Sequence, residues 1–119
     1  MFTYRTVFWW GHFLIFSFIL KGGLVPSYCV NLIARKDQPS FQKIYLAIGP
    51  NPFEWELNEG NYQLVTDLSE AEIQKTIQER KFMKLACYFP LSDPTFKYLD
   101  WKTEGLIAFR NIMQLALLD

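Results

Sequence analysis

Hydrophobic positions crowd the start of this chain. From Val7 to Leu20 it reads VFWWGHFLIFSFIL, eleven apolar residues in fourteen with no charge. A run this continuous has no period that separates a buried strand from a buried helix. As a helix it would rise about 21 Å, against about 30 Å of bilayer hydrocarbon. It then spans a membrane only if Arg5 and Lys21 snorkel outward and Tyr4, Trp9 and Trp10 sit at one interface. As an export signal it has Arg5 ahead of the apolar stretch, with Val25 and Ser27 at the minus-three and minus-one positions of a cleavage after Ser27. As a core element it needs cover from the rest of the fold. The flanking charges work against export: Arg5 precedes the run, whereas Lys21, Arg35 and Lys36 follow it, which puts the body of the chain on the cytoplasmic side.

Beyond the run, KGG supplies a stop and a hinge. After Pro26, the apolar stretch Tyr28 to Ala34 reads as a strand, and Phe41 to Ile48 as another, stopped by GPNP. FEWEL sets Phe53, Trp55 and Leu57 on one face and Glu54 and Glu56 on the other. NEGN then offers turn chemistry before YQLV, so a hairpin is predicted from Phe53 to Val65. TDLSEAEIQKTIQERKF predicts a surface helix. Ser69 caps it, Glu72 completes a capping box, Arg80 and Lys81 complement the dipole, and Leu68, Ile73 and Ile77 form one narrow apolar stripe. Phe82 to Phe89 reads as a strand stopped by Pro90. Asp93 or Ser92 ahead of Pro94 is a helix-start signal, and a second helix is predicted from about Asp100 to Leu118, with Gly105 as its weak point. Its end is apolar on more than one side through Ile107, Phe109, Ile112, Met113, Leu115, Leu117 and Leu118, so something must cover it.

These elements specify an α+β fold: a small single domain with a mixed or antiparallel sheet of about four strands and two helices. An apolar N-terminal helix or strand, residues 1–21, precedes an α+β body, residues 22–119. A chain of 119 residues supports one core. Its 50% apolar and 18% aromatic content argues against disorder.

Charge narrows the partners. Twelve basic and twelve acidic residues cancel, so no global field draws the chain to nucleic acid or to an anionic membrane surface. Between Ile44 and Gln74, however, six acids (Glu54, Glu56, Glu59, Asp67, Glu70 and Glu72) stand without a base. They form either a solvated face or a surface for a basic partner.

Candidate chemistry is sparse. Cys29 and Cys87 lack C-x-x-C spacing and read as buried small hydrophobes or as one disulfide in an oxidising compartment. His12, the single histidine, has no acid nearby in sequence to orient its ring. Glu54 and Glu56 lie about 7 Å apart on a strand face, near the spacing of paired carboxylates, but alternating glutamate also guards a strand edge. Phe96, Tyr98 and Trp101 interleave with Lys97 and Lys102 as a stacking platform would, without the basic groove such a platform needs. No catalytic set, metal site or cofactor is expected, and no small-molecule ligand is evident. The sequence therefore points to a non-enzymatic accessory or interaction protein with a protein partner. In the leading reading it is membrane-associated through its apolar segment, with Phe8, Trp9, Trp10, Phe13 and Phe16 as contacts. The alternative is a cytoplasmic, soluble globular binding module of adaptor, inhibitor or immunity type. In it residues 7–20 belong to the core and the acidic 54–72 surface meets a basic partner; a secreted location fits less well.

Overall fold

The opening apolar run folds as β structure. The computed structural model describes residues 2–9, 13–51, 60–90 and 100–116. Strand β1 (Phe2–Trp9) pairs antiparallel with β2 (Phe13–Lys21), from Phe2 opposite Leu20 to Trp9 opposite Phe13. β2 in turn pairs along its whole length with β5 (Phe82–Pro90), from Phe13 opposite Pro90 to Lys21 opposite Phe82. The short strands β3 (Tyr45–Ala47) and β4 (Tyr62–Leu64) complete a five-stranded antiparallel sheet in the order β1-β2-β5-β3-β4. Among the described residues three α-helices join it: α1 (Val25–Arg35), α2 (Glu70–Arg80) and α3 (Trp101–Met113). The α+β class is as expected from sequence, with one more helix.

A central strand must be apolar on both faces, and that requirement explains the continuous run. Leu14, Phe16, Phe18 and Leu20 point to the helical side, where they join Met83, Leu85 and Cys87 of β5 and the buried faces of all three helices in one core. Ile15 points the other way, into a second cluster with Ala47, Tyr62, Phe82 and Ala86. Every residue from Leu14 to Leu20 is 3% exposed or less. No helix among the described residues is long and apolar enough to cross a membrane. The helical anchor considered for residues 7–20 is thus replaced by a hairpin arm and a central strand. The apolar segment that ends at residue 21 is bonded to β5 up to that residue.

Two local expectations change, and a third is described only in part. Tyr28 to Ala34 is helical, not extended: Val25, Cys29 and Leu32 recur at helical spacing and are all buried, and Pro26 occupies the first turn, where its missing N–H costs nothing. Gly22, with φ 99°, makes the turn from β2 into this helix. Phe41 to Ile48 yields only Tyr45–Ala47 as strand, because Pro39–Phe41 closes a 3-10 turn that drops the fully buried Phe41 into the core. Of the Phe53 to Val65 hairpin, Tyr62–Leu64 is a strand paired with β3, while residues 52–59 lie outside the described set.

The surface helix forms as its sequence dictates. The Ser69 hydroxyl accepts from the Glu72 backbone N–H at 3.1 Å, and the Glu72 carboxylate accepts from the Ser69 N–H at 3.0 Å, so both halves of the capping box are present. Asp100 caps α3, accepting from the N–H groups of Lys102 and Thr103 and from the Thr103 hydroxyl. α3 ends at Met113 and tightens into a 3-10 turn, Gln114–Ala116. Ala108 and Ile112 of α3 and Leu115 of the turn are buried, while Leu106, Ile107 and Phe109 are exposed.

Candidate functional site

A groove runs between α1 and α2 with a volume of about 650 Å³. That lies within the range of pockets that hold small ligands. Its formation follows from the sheet: Lys21 pairs with Phe82, so the start of α1 and the end of α2 share one end of the sheet. Val25, Cys29 and Ile77 form a buried floor; Pro26, Val30 and Ile33 form the α1 wall; Gln74 and Gln78 line the α2 side. Val30 is 66% exposed, and neighbouring Leu24 is 59% exposed. Apolar surface of this kind at a groove rim is what a ligand would cover.

Lys81 is the charged member of the lining. It follows the last turn of α2 in a left-handed conformation, φ 62° and ψ 18°, where its backbone N–H closes on the Ile77 carbonyl. Glycine or asparagine is the usual residue at such a helix end. Among the described residues Lys81 is the one non-glycine with positive φ. It takes part in neither ion pair seen between described residues, Lys36 with Asp37 and Lys75 with Glu79. Arg80, one position earlier, is turned away: its Nε donates to the Ile48 carbonyl at 2.9 Å and pins the end of α2 to the end of β3. α1 begins at the same end of the sheet with no side-chain cap and no acid in its first turn, which leaves its positive dipole end uncompensated. The α1 wall is held from behind. Tyr28 stacks on Phe18 at 6.1 Å, and the Asn31 side-chain amide donates to the Leu115 carbonyl at 2.6 Å.

Burial pushes the Cys29 thiol above its ordinary pKa, which favours the neutral thiol in the groove floor. A smaller concavity of about 200 Å³ lies between the Pro39–Phe41 turn, the end of β5 and α3, and contains Lys43, Cys87 and Glu104. Burial there, with Glu104 adding like-sign repulsion, pushes the Cys87 thiol up to about 12. Both cysteines are free thiols. On the other face of the sheet Lys84 is fully buried, its Nζ 5.4 Å from the centre of the Tyr62 ring, and Tyr88 packs edge-on against Tyr45 and Tyr62. Nearby on that face the Ser17 hydroxyl is buried without a hydrogen-bond partner.

None of the described acidic or membrane-contact candidates from the sequence lines the groove. Asp67, Glu70 and Glu72 are exposed at the start of α2, at the far end of that helix from Lys81, and Glu72 is engaged in the capping box. Glu54, Glu56 and Glu59 lie outside the described residues, as do Trp10 and His12. Phe8 and Trp9 belong to β1 and Phe13 opens β2; Phe16 is buried against α3. No group of three or more metal-binding side chains occurs among the described residues. The groove residues were missed because α1 was read as a strand. The usable signal was Val25, Cys29 and Ile33 at successive i+4 positions, directly after Gly-Gly and around a proline. No protein-family model, curated protein or solved structure matches the chain.

Proposed function

We propose that this is a non-enzymatic binding protein that receives an apolar or amphipathic ligand in the groove between α1 and α2. The observation that carries the reading is a concavity of about 650 Å³ whose floor is apolar and whose rim includes a valine 66% exposed. The chemistry of the lining supports binding over catalysis, since burial raises the pKa of its thiol and its other polar members are two amides and one ammonium. Membrane association through residues 7–20 draws little support from the same fold, because Leu14 to Leu20 are used up inside it.

The test is binding of N-phenyl-1-naphthylamine, a neutral fluorophore that brightens in apolar surroundings. The wild-type protein should enhance its emission saturably. Val30→Asp should abolish most of that enhancement while leaving the fold intact, since surface substitutions are usually within about 0.5 kcal/mol. No enhancement, or enhancement equal in both proteins, would exclude the groove.

A further inference from the structure

We infer that the ligand of this groove is a single-chain anionic amphiphile, such as a fatty carboxylate, lying along the helices with its charged end at Lys81. The inference rests on the groove being the binding site and adds the chemistry of what fills it. Three observations converge. The trough is walled by two helices of eleven residues, each about 16 Å long, and is lined from Val25 to Ile33 on α1 and from Gln74 to Ile77 on α2, a reach that suits one extended apolar chain. Its polarity is confined to one side and one end: Val25, Cys29, Ile33 and Ile77 offer an apolar chain no polar contact, and Lys81 supplies one positive charge. The amide groups of Gln74 and Gln78 are neutral and tolerate either a chain or a headgroup beside them.

The position of Lys81 adds weight. Lysine occupies a left-handed helix end that glycine fits without strain, and its ammonium takes part in neither ion pair seen between described residues. Arg80 beside it is already committed to the Ile48 carbonyl, so the cation facing the groove is Lys81. A carboxylate there would complete the charge of the site, and the uncapped start of α1 contributes potential of the same sign. A cationic or uncharged amphiphile would fill the same apolar volume without that gain.

The experiment displaces N-phenyl-1-naphthylamine from the full-length protein with dodecanoate, dodecanol and dodecylammonium, each below its micelle-forming concentration. Dodecanoate should act at a roughly three- to fivefold lower concentration than dodecanol at low salt, as expected for one partly exposed ion pair, with dodecylammonium the weakest. High salt should shrink that preference. Lys81→Met and Lys81→Gln should remove it while still binding the fluorophore, which also shows that the variants are folded. Equal action of dodecanoate and dodecanol, or a preference that survives both substitutions, would overturn the carboxylate assignment and leave the groove reading standing. Displacement by none of the three, with fluorophore binding still sensitive to Val30→Asp, would overturn the amphiphile in the same way. Loss of the fluorophore signal from the wild type would overturn both. Light scattering supplies the remaining arm: a dimer broken by Val30→Asp would give the groove to a second copy of this chain and overturn the assignment.

Discussion

Gly105 of α3 lies directly on the ring of Phe16 of β2: a methyl group at position 105 would stand 2.7 Å from ring atom Cε1. The ring cannot step aside easily, since it is 3% exposed and packs edge-on against Phe89 at 5.8 Å. The glycine that weakens the helix in isolation is therefore what lets the helix approach the central strand.

Gly105→Ala should accordingly destabilise the protein. The substitution gains about 1 kcal/mol of helix propensity, but overpacking against a fixed ring costs about 1–3 kcal/mol, for a net loss of about 1 kcal/mol in urea unfolding. Combined with Phe16→Leu, it should cost less than the sum of the two single changes by at least about 0.5 kcal/mol, because the pair shares one contact. Additive losses would show that the contact is not the cause.

The capping box of α2 predicts both a size and a pH dependence. Ser69→Ala should lower stability by about 1 kcal/mol. The Ser69 backbone N–H, then its hydroxyl, holds the Glu72 carboxyl below the usual glutamate range. A depressed carboxyl pKa gives stability that is present above the unfolded-state value and lost as pH falls through the folded-state value. Glu72→Gln should thus be less stable than wild type at neutral pH, with the difference closing below about pH 4. Asp100, held low chiefly by the Thr103 hydroxyl, should show the same sign in Asp100→Asn.

Lys81→Gly should stabilise the fold by about 1 kcal/mol by relieving the left-handed conformation, raising Tm by about 4 °C. Lys81→Ala should not, since alanine keeps the strain. Differential scanning calorimetry on the pair separates a conformational cost from a charge effect.

The buried thiol of Cys87 predicts alkaline sensitivity. Its folded-state pKa is raised to about 12 from an ordinary 9.0, so the folded state holds the proton more tightly than the unfolded chain. Its contribution to stability is full below pH 9.0 and is lost as pH rises toward 12. Cys87→Ala should flatten that part of the stability profile. In native protein at pH 8, Cys87 should resist alkylation until unfolding exposes it, and Cys29 should react before it.

Local signals were the legible part of this sequence. Ser69 and Glu72 specify their helix start from three residues apart, and the partners they need are in the same turn. The strand predicted over Phe82 to Phe89 is likewise present as β5, which runs on through Pro90. The run from Phe13 to Leu20 was ambiguous for a physical reason: a strand covered on both faces has lost the alternation that identifies a strand. Tyr28 to Ala34 was misread because the helical spacing of Val25, Cys29 and Leu32 is interleaved with Val30 and Ile33, which face the groove and make the stretch look uniformly apolar. The groove itself had no linear signature, since Val30 and Lys81, which line it together, lie on separate helices far apart in sequence.

The pairing of β2 with β5 also governs how the molecule comes into being. β2 is made before β5, and the strand that covers its flank lies about 60 to 80 positions further on. At about 5–20 residues per second, a ribosome exposes this greasy ribbon for several seconds before its partner emerges. The chain is therefore most vulnerable to aggregation during its own synthesis, and a slower passage through the stretch between Lys21 and Phe82 would lengthen that interval directly.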